Sequence, residues 1–252
     1  MIIYTCEDTL EDMMTCIYDA WASKLGHQNI RLMTEPIGNL ELFCEYRHVP
    51  VNTQKAESVI RSIQNKISFS AYQCVYRCAM SCETNKLDVI YRFLLLGFTY
   101  GAGVMDMLQH PAVMSIFEIN RKVTNESHLF REFTRFISMK GNVLTAHIEP
   151  KSDILTMLAP HFQDRMPSEN WMIIDDNRRT AVVHPKDTDY YLTSLSQEEF
   201  HRLSNLEDTA DPYVALWKNF FQTIGIKERK NPTCQRNHIP LWYRKHATEF
   251  QL

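Results

Sequence analysis

Apolar residues recur along this chain with two periods, and the change between them falls near Arg135. In TLEDMMTCIYDAWASKL, Leu10, Met13, Met14, Ile17, Trp21 and Leu25 form a helical stripe. Gly26 stands where such a helix stops. MIIYT before it reads as a short strand, NLELFCEY as a second, and Asn52 as the cap of a helix running to about Lys66. Residues 69–137 predict helices with short breaks: FSAYQCVYRCAMSC, NKLDVIYRFLLLGFTYG, a Gly-rich turn, and a long segment from Pro111 to Phe136. Beyond it the period shortens. RFISMKGNVLTAHIEP predicts a hairpin turning at Lys140, Gly141 and Asn142. SDILTMLAPHFQDRM predicts a helix capped by Ser152 and kinked by Pro160. WMIIDDNRRTAVVHPKDTDYYL holds two or three strands, turning at Asp175–Arg178. Ser196 and Glu199 make a capping box, and Asp211 with Pro212 marks another helix start. The expectation is an α+β fold: a helical N-terminal half, then a mostly antiparallel sheet with packed helices. One compact unit, 1–252, is expected, with a helical lobe over 1–134 and a sheet-containing lobe over 135–252.

Composition narrows the class. At 252 residues the chain is long enough to bury a core without staples. Its longest apolar run, FLLLGFTYGAGVM, is short of the roughly 20 residues a membrane span needs and is broken by glycines. The N-terminus lacks the basic head of a signal peptide. Seven cysteines, an odd number, argue against a secreted disulfide framework. A cytoplasmic protein that does not engage a membrane is expected.

The formal charge is −3, but it is unevenly spread. Residues 227–246 carry Lys227, Arg229, Lys230, Arg236, Arg244 and Lys245 against Glu228, a local +5, which leaves −8 on the remainder. Attraction to phosphate must come from such local patches.

Four stretches are candidates for chemistry. Cys74, Cys78 and Cys82 lie one residue away from the C-x3-C-x2-C run of cluster-binding radical-SAM enzymes. At helical spacing they form a stripe of small buried hydrophobes, so no metal and no cofactor is assigned. In ESHLFREFTRF, His128, Arg131 and Arg135 share neighbouring helical turns. They make either a phosphate-holding face or a solvated face with local ion pairs. Glu149, His161 and Asp175 are candidate acid/base residues, beside Asp176, Arg165 and Arg178; the preference of Asx residues for turns is a sufficient local explanation of Asp175, Asp176 and Asn177. The tail combines forked donors, amides and an aromatic face in Arg229, Lys230, Asn231, Gln235, His238, Tyr243 and Arg244, suited to backbone and base contacts. It could equally pack on its own domain. Trp242, Tyr243 and Phe250 give it reason to dock.

Taken in order, YTCEDTLEDMMTCIYDAW, ESHLFREFTRF, HIEPKSDILTMLAPHFQDRM, WMIIDDNRR and IKERKNPTCQRNHIPLWYRKHATEF resemble a bacterial family of DNA-metabolism proteins. That family is linked by genome context to a radical-SAM protein of DNA modification or repair, and some relatives are fused to a uracil-DNA-glycosylase-like domain. The resemblance covers nearly the whole chain. Cys6, Glu7 and Asp8 stand where relatives often carry Asp-Gly. Without a radical-SAM cysteine triad, the chain is expected to be the partner of the radical enzyme. The resemblance thus implies an accessory or binding protein of DNA metabolism acting with a radical-SAM partner and engaging DNA. An enzyme acting on nucleotide or nucleic acid, and a pure scaffold, are the alternatives.

Overall fold

The computed structural model describes residues 1–139, 142–205 and 212–250. It has a mixed α+β architecture and falls into two compact units, Met1–Thr124 and Asn125–Leu252.

The first unit contains β1 (Ile2–Cys6), α1 (Leu10–Ala22), β2 (Ile30–Thr34), β3 (Glu45–His48), α2 (Thr53–Lys66), α3 (Phe69–Ala79), α4 (Lys86–Tyr100) and the first turns of α5 (Pro111–Phe133). Its three strands form a parallel sheet in the order β2-β1-β3. The β2 strand, Ile-Arg-Leu-Met-Thr, was not legible in the periodicity: it is five residues long and follows directly on a helical stretch. NLELFCEY pairs only at its end, where β3 begins at Glu45. Thr9, Asn52 and Ser68 each accept a backbone N–H three residues on, which starts α1, α2 and α3. Met13, Met14 and Ile17 of the predicted stripe are buried, whereas Trp21 and Leu25 are partly exposed. The helix ends at Ala22, earlier than Gly26 suggested; Gly26 instead takes a positive φ of 84° ahead of a 3-10 turn. Gly97 lies in α4, and an added Cβ there would come 2.5 Å from Ile67 Cδ1. By length and composition Lys86–Asp106 could cross a membrane. Its Leu87, Ile90, Tyr91, Phe93 and Leu94 are fully buried in this unit's core.

The second unit takes the last turns of α5, then β4 (Ile137–Met139), β5 (Val143–Ile148), α6 (Leu155–Arg165), β6 (Asn170–Asp175), β7 (Thr180–His184), β8 (Tyr191–Ser194), α7 (Gln197–Asn205), α8 (Pro212–Thr223) and α9 (Pro232–His238). The sheet runs β4-β5-β6-β7-β8. Only β5 and β6 are parallel, joined through α6, so the sheet is mostly antiparallel. The β4–β5 turn and Asp211 lie outside the described residues, apart from Asn142 at φ 57°. α5 ends at Phe133 rather than Phe136, whose ring packs on Phe162 and near Trp171 in the core. Ser152 does not cap α6: the helix starts after Ile154 with no side-chain cap, and the Ser152 N–H donates to Glu126. Pro160 lies inside that helix. The capping box is formed as predicted. Glu199 N–H donates to Ser196 Oγ, and Ser196 N–H to Glu199 Oε2.

Candidate functional site

Two clusters of polar side chains form in the second unit. The first is a basic groove of about 500 Å³ between the end of α5 and α6. His128, Arg131, Glu132, Arg135, His161 and Arg165 line it, over the rings of Phe136 and Phe162. His128, Arg131 and Arg165 are exposed and His161 is half-buried. Their placement follows largely from helical geometry: positions 128, 131 and 132 of α5 face one way, as do 161 and 165 of α6, while Arg135 follows just beyond the end of α5. Burial, then Arg131 and Arg165, hold the His161 imidazole below its ordinary value, with Asp164 opposing. His128 meets Glu132 at 3.3 Å, and Arg131 donates to the Met157 carbonyl at 2.7 Å. An anion in this groove would find guanidinium donors on both walls and a neutral imidazole between them.

Arg135 is committed elsewhere. It makes two hydrogen bonds to the buried Glu249 carboxylate, and Trp217 Nε1–H donates to the same group at 3.1 Å.

The second cluster gathers at the carboxyl ends of β5 and β6. His147 and Glu149 are two residues apart and share a face of the chain. Asp176 N–H donates to the Ile148 carbonyl at 2.9 Å, which brings the residue after β6 alongside. His147 Nδ1 lies 2.7 Å from Asp176 Oδ1. From the tail, Lys245 pairs with Glu149, and His246 Nε2 lies 3.2 Å from Glu149 Oε1 and 3.6 Å from Asp176 Oδ2. Burial opposes ionisation of Glu149, but hydrogen bonds from Lys245 and His246 outweigh it and lower its pKa. Among the described residues, Glu149, Asp176 and His246 form the one group whose ligand atoms converge within 4.8 Å.

The three predicted acid/base residues have separate surroundings. Glu149 belongs to this second cluster, His161 to the groove. Asp175 is fully buried, and its oxygens accept the Asn177 and Arg178 N–H groups and the Arg178 guanidinium. Burial raises its pKa against the pull of Arg178. Arg178 in turn donates to the Pro150 and Lys151 carbonyls, so this pair braces two loops.

The tail divides as well. Arg229, Lys230, Asn231, Gln235 and His238 lie on or before α9 and are exposed, with Asn231 capping the helix by accepting the Cys234 N–H. Tyr243 is buried, its ring 4.9 Å from that of Phe130, and Trp242 is half-buried beside it. Arg244 donates to the Ile239 carbonyl and lies over Phe250 at 4.5 Å. Tyr243 and Arg244 therefore act in packing the tail, leaving Arg229 and Lys230 before α9, and Arg236 on it, as its outward cations. Sequence reasoning missed His147, His246 and Glu249. The two-residue spacing of His147 and Glu149 was a usable signal, whereas nothing local marks the other two.

In the first unit Cys74 and Cys78 are core residues. Burial pushes the Cys74 thiol up to about 11 and Cys78 higher still, while Cys82 lies beyond α3 and is exposed.

A comparison with curated proteins finds no match. Residues 84–249, more than half of the chain, match the model of the domain of unknown function DUF4130, and the chain belongs to that family.

Proposed function

We propose that this protein is a binding protein of DNA metabolism that holds a nucleic-acid backbone in the groove of Arg131, His161 and Arg165. It would act in the cytoplasm with a radical-SAM partner. The observation that carries the reading is the pair of exposed guanidinium groups flanking a half-buried histidine in one recess. Phosphate contacts of this kind give affinity without sequence preference. The exposed Arg229 and Lys230 before α9, with Arg236 on it, supply a second basic surface for the strand or the partner. The radical-SAM association and the cytoplasmic setting rest on the sequence resemblance and composition.

Fluorescence anisotropy with labelled single- and double-stranded oligonucleotides over a salt series tests the reading. Affinity should fall linearly on a log–log plot, and Arg165→Ala should reduce the slope by about one. Affinity should also rise as pH falls below 6.5, because a phosphate reverses the forces that keep His161 neutral. Arg131, Arg165 and Asp164 act on this imidazole, and His128 and Glu132 also face the groove, so His161→Gln is the control that should flatten the rise. Salt-independent binding, or a slope unchanged by Arg165→Ala, would remove the groove from the mechanism. Pull-down of the radical-SAM protein, with and without nuclease, tests the partner.

A further inference from the structure

A feature outside the groove carries a different chemistry. We propose that Glu149, Asp176 and His246 form a divalent transition-metal site, with His147 as the hydrogen-bonded support of Asp176. This is independent of the nucleic-acid reading.

The donor set is one imidazole and two carboxylates. Such nitrogen and oxygen ligands suit Mn(II), Fe(II), Co(II) or Zn(II). Spacing agrees. With metal–ligand bonds of about 2.1 Å, neighbouring ligand atoms lie about 3.0 Å apart in an octahedral shell and about 3.4 Å apart in a tetrahedral one. His246 Nε2 stands 3.2 Å from Glu149 Oε1 and 3.6 Å from Asp176 Oδ2. All three ligand atoms lie within 4.8 Å of one another, and an ion would take the place of these contacts.

The support is in place too. His147 engages Asp176 Oδ1 at 2.7 Å, which leaves Oδ2 turned toward His246. Neighbours that orient metal-bound carboxylates act in this way. The His147 and His246 rings stack at 6.1 Å with planes 28° apart, so the ligating imidazole is held in orientation. Glu149 and Asp176 are fixed by adjacent parallel strand ends, a position where open sheets commonly place ligands. Finally, the Lys245 ammonium now sits on Glu149. It supplies positive charge where the metal would, on an exposed side chain able to swing away. Lys245 and the ion would therefore compete for Glu149.

A competing account is a charge latch that fastens the tail through the same residues. The two differ in what a metal does. The test uses the untagged full chain carrying Cys82→Ser and Cys234→Ser, which removes the exposed thiols. The protein is stripped with chelator and titrated with Co(II), read by visible absorption, and with Mn(II), read by electron paramagnetic resonance. One ion per chain is expected, with a rise in Tm on loading. Asp176→Asn and His246→Gln should abolish binding with an unchanged far-ultraviolet circular dichroism spectrum, and His147→Gln should weaken it about tenfold or more. Lys245→Met should tighten it, a gain that misfolding cannot produce. The site is refuted if Asp176→Asn binds as well as the parent, or if Lys245→Met lowers Tm without any gain in metal affinity.

Discussion

Arg135 and Glu249 are 114 residues apart in the chain and meet through two hydrogen bonds, Nη2 to Oε1 at 2.6 Å and Nε to Oε2 at 3.2 Å. The Glu249 side chain is 3% exposed and that of Arg135 22%. A buried ion pair offers little over an apolar pair of equal size, but removing one partner leaves a charge stranded. Arg135→Ala should therefore cost about 3 kcal/mol in urea unfolding, and Glu249→Gln, which keeps hydrogen-bonding atoms, about 1 kcal/mol. Equal and negligible costs for both would show that the pair does not hold the end of the chain.

The same carboxylate predicts an acid dependence. Burial works against its ionisation, but Arg135, a backbone hydrogen bond and Trp217 outweigh it and lower its pKa from 4.5. A carboxyl lowered on folding contributes stability that is fully present above its unfolded value and lost as pH falls through its folded value. The difference in stability between the parent and Glu249→Gln should thus be widest above pH 4.5 and close below it. Thermal melts of both proteins across pH 3–7 would read this; a difference that grows in acid would contradict the assignment.

Docking of the tail should depend on Tyr243 more than on its charges. The Tyr243 ring is buried against Phe130, and Trp242 is half-buried under the Lys151 ammonium at 5.1 Å. Tyr243→Ala should cost about 3–5 kcal/mol, as for other large buried rings. Trp242→Ala should cost less, and Lys230→Ala on the exposed face within about 0.5 kcal/mol. Chemical denaturation orders the three; a Lys230 effect as large as that of Tyr243 would reverse the account.

The cysteine stripe makes a chemical prediction. Reactivity follows thiolate content and access. Cys82 and Cys234 are exposed, whereas Cys6, Cys16, Cys74 and Cys78 are buried. In native protein a thiol-specific disulfide reagent should label Cys82 and Cys234 quickly, and the four buried thiols only on unfolding. Fast native labelling of Cys74 or Cys78, identified by peptide mass, would place them outside the core.

The sequence by itself determined what depends on neighbours within a few residues. Asn52 accepts the Lys55 N–H and Ser196 pairs with Glu199 because caps are built from residues three apart. Asp175 turns the chain because its carboxylate reaches its own following amides. The α5 face carrying His128 and Arg131 was legible for the same reason, since helical spacing sets which side chains are adjacent. Only the tertiary structure decided what met across distance. Pairing of β5 with β6 placed Asp176 beside His147, 29 residues away, and docking of the tail brought His246 to Glu149 across 97. It also tied Arg135 to Glu249, which no local pattern announces, and chose Phe130 as the ring against which the aromatic tail docks through Tyr243. Caps and turns are settled by backbone geometry within one or two turns of chain, whereas these meetings depend on strand register and on which apolar faces bury each other.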